Sequence, residues 1–313
     1  MKHLAPAFVA LILAASAAMA GVDPALLGLV MPEAKVVAGA QVDQAQASPF
    51  GRYLLGQFQP GADFDKLVAA SGFDPRRDLR EIVAASMLDN QSLVVVRGVF
   101  QPGRIAAMAV AGGATSSSYR GIELLSNLNQ DGQSAAFLDA STAIAGTTAQ
   151  VKAAVDRRMS NTTYSGALAD KVRAVSGAND VWVVTQTPIA DFLGQRTNGA
   201  LPPNSPQAGA IGAIQQVAGG LRFGGDAVTL NGEALTRSNQ DAQALVDVLK
   251  FVVSMVQLNN NNPNAAKLAA ALNGATFTAD GATLRLTLSV PQQQLEELMK
   301  PQPRGARRKA AAL

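Results

Sequence analysis

Short apolar runs rich in Val and Ile come in adjacent pairs along this chain, each pair closed by turn residues. Ile82-Val83-Ala84-Ala85-Ser86 meets Asp89-Asn90 and returns as Ser92-Leu-Val-Val-Val-Arg-Gly-Val-Phe100. Val217 to Phe223 and Ala227 to Leu235 flank Gly224-Gly225-Asp226, and Ala275 to Ala279 and Ala282 to Leu288 flank Asp280-Gly281. β-Branched runs on either side of such residues read as hairpins, because the turn needs backbone freedom and the runs need a pleated, half-buried surface. Consecutive hairpins commit a chain to antiparallel pairing. With helical stretches between them the expected class is α+β: antiparallel sheets with helices packed on one face.

The order of these segments occurs twice. In the first half a strand over Lys35 to Val42 precedes a polar helix-prone stretch at Ser48 to Gln57 and the first hairpin. Pro102 opens a helix over Gly103 to Val110. Strands at Tyr119 to Leu125 and Ser134 to Leu138 follow, then Ser141 to Ala145. Thr147 or Thr148 then caps a helix running to Arg158, with Val151 and Val155 on one face. In the second half Val181 to Thr185 is the first strand and Ile189 to Leu193 a helical turn, before the hairpin at Gly224-Gly225. Ser238 or Asn239 caps the longest helix, whose Leu245, Val246, Leu249, Val252, Val253 and Val256 recur at helical spacing. A helix after Pro263, capped by Asn273-Gly274, the last hairpin, and a helix from Pro291 to near Met299 complete it. Asp139-Ala-Ser-Thr142 and Asp280-Gly-Ala-Thr283 sit at matching places. The expected organisation is two similar repeats, 21–175 and 176–299, between a leader at 1–20 and a basic tail at 300–313.

The leader has the three parts of a secretory signal: Lys2 and His3, an apolar stretch from Leu4 to Ala15, and Ala18-Met19-Ala20 as the cleavage site. Cleavage between Ala20 and Gly21 is expected, and with it export to the periplasm or the extracellular space. The apolar part is short of the roughly 20 residues that span a bilayer. Phe251 to Leu258 is shorter still and reads as a buried face of a soluble helix.

Export makes the residue inventory informative. The chain has no cysteine, and its one histidine is His3, inside the leader. A chain processed at Ala20 therefore lacks both imidazole and thiol. That excludes Ser-His-Asp and Cys-His catalysis, zinc sites of His or Cys type, and the usual haem and iron–sulfur ligation. No cofactor, metal or catalytic residue is expected. The chain holds 26 Lys and Arg against 23 Asp and Glu. Six of the cations, Lys2, Lys300, Arg304, Arg307, Arg308 and Lys309, lie in the leader or the tail, which leaves the body slightly acidic. A nucleic-acid partner is thereby excluded, since binding needs a basic stripe on the folded surface. Arg304, Arg307, Arg308 and Lys309 could make a weak contact with an anionic surface.

Local candidates are few. Asp63 and Asp65 are a carboxylate pair whose ordinary role is a solvated helix start. Asn127-Leu-Asn129-Gln-Asp131-Gly132 imitates half a calcium loop, but Leu138 stands where a bidentate Glu is required. Gly219-Gly220 and Gly224-Gly225 lack the Lys of a phosphate loop and read as glycines that let a hairpin turn tightly. Trp182 sits mid-strand and reads as core. Asp74, Arg76, Arg77 and Asp78 form a polar cluster at a helix start. Arg196 to Ala210 is an irregular loop that could cover a ligand.

Phe73-Asp-Pro-Arg-Arg-Asp-Leu79, Phe137-Leu-Asp-Ala-Ser-Thr-Ala143 and Val151-Lys-Ala-Ala-Val-Asp-Arg-Arg158 resemble segments of uncharacterised exported bacterial proteins with a duplicated α+β body. That resemblance implies a fold and a compartment and brings no active-site residues. The expected function is a non-catalytic exported binding or structural protein. The alternatives are a carboxylate-only, glycosidase-like hydrolase, with two carboxyl groups roughly 6.5–9.5 Å apart if inverting, and an envelope factor docked by the basic tail.

Overall fold

The computed structural model describes residues 21–57, 61–87, 90–128, 132–188, 206–258 and 263–299. The expected leader and tail, the turn at Ile189 to Leu193 and most of the 196–210 loop lie outside these residues.

In chain order the strands are β1 (Val36–Gln41), β2 (Leu79–Ser86), β3 (Ser92–Gly98), β4 (Thr115–Tyr119), β5 (Ile122–Ser126) and β6 (Gln133–Phe137). They continue with β7 (Thr142–Thr147), β8 (Val181–Thr185), β9 (Ile214–Phe223), β10 (Ala227–Thr236), β11 (Thr276–Asp280) and β12 (Thr283–Pro291). The helices are α1 (Pro24–Leu27), α2 (Val42–Ala47), α3 (Pro49–Gln57), α4 (Ala62–Ser71), α5 (Pro75–Asp78) and α6 (Pro102–Ala111). After them come α7 (Thr148–Met159), α8 (Ala167–Ala178), α9 (Pro206–Gly212), α10 (Asn239–Leu258), α11 (Pro263–Leu272) and α12 (Gln292–Met299).

All of these strands join one antiparallel sheet of 12, in the order β11-β12-β10-β9-β8-β1-β2-β3-β7-β6-β5-β4. The α+β class and the antiparallel pairing are as the hairpin signals require. The middle pair of the sheet is β1·β2, and on the other side of β1 lies β8, where Gly39 is opposite Trp182. Tyr119 to Leu125, read above as one strand, is a hairpin: Arg120 and Gly121, at φ 50° and 80°, form a tight turn between β4 and β5. Positive φ at both central residues matches the right-handed twist of the flanking strands.

The helices lie on both faces, not on one. Side chains alternate along a strand, so register tells the faces apart. Ala218 is opposite Glu233 and belongs to the larger buried core, with Val37, Val83, Val95, Ile144 and Trp182. Buried residues of α7 (Val151, Val155) and α8 (Leu168, Val172) cover that face. Ala234, next to Glu233 and so on the other face, belongs to a second core with Ile214, Leu284 and, from α10, Leu245 and Val246. An apolar sheet with both faces to bury takes helices on each.

The larger core runs through the boundary expected at 175/176. That boundary falls inside α8, and Trp182, Val184 and Ala218 pack in one cluster with residues from 22 onward. The helix α8 has no counterpart in the reading above, which passes over 160–180. The apolar run from Phe251 to Leu258 also differs. α10 buries Ala242, Leu245 and Val246 in its first half, but Phe251, Val252, Met255 and Leu258 are exposed, Leu258 at 83%. Helical spacing places an apolar residue on a face; only the neighbouring elements decide whether that face is covered.

Candidate functional site

The α7–α8 layer ends partway across the sheet. Over β10 and β12 the same face carries polar side chains and, among the described residues, no helix, and a cleft opens along the edge of α8. Its floor is set by two cross-strand rows. One runs Ala218, Glu233, Arg285 and the other Gly220, Asn231, Thr287, across β9, β10 and β12. Its wall is a helical stripe of α8, Lys171, Ala174, Val175 and Ala178, one turn apart.

Small residues make the room. Ala218, Gly219 and Gly232 on the floor and Ala174 and Ala178 on the wall line two adjoining cavities of about 210 and 320 Å³, which share Lys171, Ala218, Glu233 and Arg285. Gly220 is required for a different reason. A Cβ there would lie 2.1 Å from the Val181 carbonyl oxygen and 2.7 Å from Asn179 Cβ, so only glycine lets the end of α8 approach the sheet. Asn179 follows α8, donates to the Val175 carbonyl at 2.9 Å, and accepts from Asn231 Nδ2 at 3.3 Å.

The electrostatics of the cleft are mixed. Lys171 pairs with Glu233 across it, and Arg285 pairs with Asp280 at 3.6 Å. Partial burial, and secondarily the Arg285 charge, hold the Lys171 ammonium below the usual lysine range. Both pairs are substantially exposed, and exposed ion pairs contribute little to stability, about 0–1 kcal/mol. The cleft thus presents donors (Lys171, Arg285, the Asn amides) around one carboxylate acceptor. Glu233 is the only carboxylate that lines it among the described residues. Two carboxylates, Asp226 and Glu296, line a separate cavity of about 490 Å³ at the end of the β9–β10 hairpin, where Gln292 Nε2 donates to Glu296 at 2.6 Å.

The residues singled out from sequence lie elsewhere. Asp65 is exposed near the start of α4 and its charge acts on Arg76, while the side chain of Asp63 lies outside the described residues. Asp74 caps α5, accepting from Arg76 N at 3.0 Å and pairing with Arg76 at 2.8 Å. Asp78 accepts from Asp74 N at 2.8 Å and pairs with Arg77 at 2.7 Å, so the cluster is closed on itself. Trp182 is 2% exposed and packs over Gly39, as expected of a core residue. Gly219 and Gly220 sit within β9 and not at a turn; Gly224 and Gly225 are the turn glycines. Asn129 to Asp131, Arg196 to Ser205 and the tail cations are outside the described residues. Among the described residues no group of three metal-ligating side chains comes together, and no helix is long and apolar enough to cross a membrane.

The cleft residues went unread because α8 did. The signal was present as Asn231-Gly-Glu233 and Leu284-Arg285-Leu286, where polar residues alternate with apolar ones on a strand whose other face is core.

No family model matches this chain, and no curated protein matches it. Among solved structures, crystal form IV of TP0453 is similar to it at 13% identity with a TM-score of 0.52, covering 89% of this chain and 97% of that one. Crystal form III of TP0453 gives 13% identity and a TM-score of 0.51, covering 88% and 97%. At this identity the likeness speaks for the fold alone.

Proposed function

We propose that this chain is a non-catalytic exported binding protein whose ligand, a small polar molecule, sits in the cleft between α8 and strands β9, β10 and β12. The observation that carries the reading is the mixed set of Lys171, Glu233 and Arg285 over a floor of small residues. These side chains stand on a helix and strands and not on loops, and rigid elements hold a binding geometry well. The absence of cysteine, and of any histidine beyond His3, supports binding over catalysis. The leader at 1–20 supports export, and the three segments quoted above support kinship with exported bacterial proteins of duplicated body.

The strand order supports duplication. Outward from β1 the sheet runs β2, β3, β7, β6; outward from β8 it runs β9, β10, β12, β11. The two series match in chain order once the β4–β5 hairpin is set aside as an insertion. In this reading the first copy carries α7 and α8 over the shared face, the second has no such cover among the described residues, and the cleft is what remains open.

A thermal-shift and calorimetric screen of the intact chain with amino acids and monosaccharides should give a saturable ligand. Lys171→Ala with Arg285→Ala should weaken it tenfold or more, and Ala174→Trp should block it while the fold persists. If affinity is unchanged in all of these variants, the cleft is not the site. A carboxylate-only hydrolase is the second reading, favoured by Asp226 and Glu296 in one cavity. It requires turnover of a glycoside that Asp226→Asn and Glu296→Gln each abolish.

A further inference from the structure

Arg157 is a half-buried cation that makes no ion pair among the described residues. Its Nε and Nη2 donate to the Leu29 carbonyl at 3.0 and 2.8 Å, which ties the segment after α1 to the last turn of α7. Those bonds use one edge of the guanidinium. A guanidinium has five N–H donors, and its remaining Nη1–Nη2 edge can grip two oxygens of a carboxylate or phosphate. Burial holds the Arg157 guanidinium below its usual range, outweighing the Glu33 and Asp156 charges. The C-terminal end of α7 offsets part of that cost, and no carboxylate touches it among the described residues.

Beside Arg157 is a cavity of about 320 Å³, lined also by Arg158, Gly28, Asn161, Thr162 and Thr163. Asn161, at φ 50°, turns the chain back, and Thr162 N donates to the Arg157 carbonyl at 3.1 Å. The loop after α7 thereby turns back at the end of the helix that carries both arginines. The lining holds two cations and no carboxylate. The acids nearby are engaged: Asp139 with Arg158 at 3.0 Å and with Ser141, Asp156 with Arg120 and Tyr119. Glu33 and Asp156 act on Arg157 only through space. This cavity shares no residue with the cleft along α8.

We propose that this cavity is an oxyanion site, taking the phosphate or carboxylate group of a small polar molecule on the free edge of Arg157, with Arg158 as the second cation. The site is independent of the cleft and stands or falls without it.

The test is a titration of the intact chain with inorganic phosphate and, separately, with acetate, at constant ionic strength, followed by amide and arginine side-chain NMR. Saturable shifts at Arg157 Nε and at the amides of Asn161 to Thr163 are expected for at least one anion. Stronger response to phosphate identifies a phosphate ester as the natural group; stronger response to acetate identifies a carboxylate. Arg157→Gln keeps a donor for the Leu29 carbonyl but removes the charge, and should weaken binding tenfold or more. Arg158→Gln should weaken it several-fold, and Lys171→Ala with Arg285→Ala should leave it unchanged. Should Arg157→Gln fail to fold, Arg157→Lys keeps the charge without the planar edge, and the wild-type shift map decides alone. No saturation with either anion, shifts that map elsewhere, or full affinity in the folded Arg157 variants would overturn the proposal.

Discussion

At the scale of single residues, Gly39 and Glu81 show how much one position can carry. A Cβ on Gly39 would lie 2.5 Å from Trp182 Cζ2 and 2.8 Å from the Ile82 carbonyl oxygen, in the middle of the sheet. The ring and the backbone on the two sides leave nothing free to give way. Gly39→Ala should therefore cost about 1–3 kcal/mol, as overpacking a core does, read as a lower urea midpoint with an unchanged slope. Glu81 accepts from Asp23 N at 3.1 Å, yet burial above all pushes its carboxyl above the usual range. A raised folded pKa means the native state binds that proton more tightly than the unfolded chain. Stability then falls as pH rises from the unfolded Glu value, about 4.3, through the folded one. Glu81→Gln should be more stable than wild type at pH 7, and the gap should close by about pH 4. An equal gap at both values would rule out this assignment. Asp78 runs the other way, since pairing with Arg77 lowers its carboxyl. Its contribution is present above the unfolded Asp value and is lost as pH falls through the folded one.

At the scale of elements, α10 divides into two kinds of surface. Leu245 and Val246 are 4% and 2% exposed against β10 and β12, whereas Phe251 and Met255 are each 55% exposed. Leu245→Ala should cost about 2–5 kcal/mol through the cavity it leaves. Phe251→Ser and Met255→Ser should each change stability by no more than about 0.5 kcal/mol. Chemical denaturation of the three variants checks the contrast, and equal losses in all three would mean that the stripe is covered. A run of exposed apolar residues this regular is also a place where another surface can bind.

At the scale of the whole molecule, the larger core decides what can fold alone. Val37, Val83 and Val95 share a cluster with Trp182, Val184 and Ala218, and α8 lies over β8 and β9. A fragment of residues 21–175 lacks those partners and ends inside α8. It should show no dispersed NMR spectrum and no cooperative melting, while residues 21–299 should show both. A fragment that folded by itself would make 175/176 a true domain boundary.

Much of this was local and therefore open to reading from sequence. Asp280-Gly281, Gly224-Gly225-Asp226 and Pro102 act on their own few residues, through turn geometry and the missing proline N–H, and the structure puts turns and a helix start there. Trp182 was legible as core because an aromatic side chain within an apolar strand has nowhere better to go. What lay beyond the sequence was which faces meet. Glu233 and Arg285 are neighbours only because β10 and β12 pair in one register, and Lys171 reaches them only because Gly220 lets α8 settle on β9. Whether Phe251 or Leu245 is covered depends on where β12 lies, and no periodicity within a helix contains that. Residue identity determined turns, the helix start at Pro102 and the α+β class through short-range sterics, whereas Thr147, expected to cap α7, makes no side-chain capping bond. Long-range packing alone decided the two-sided layers, the shared core and the cleft, because burial is a property of what the other elements leave uncovered.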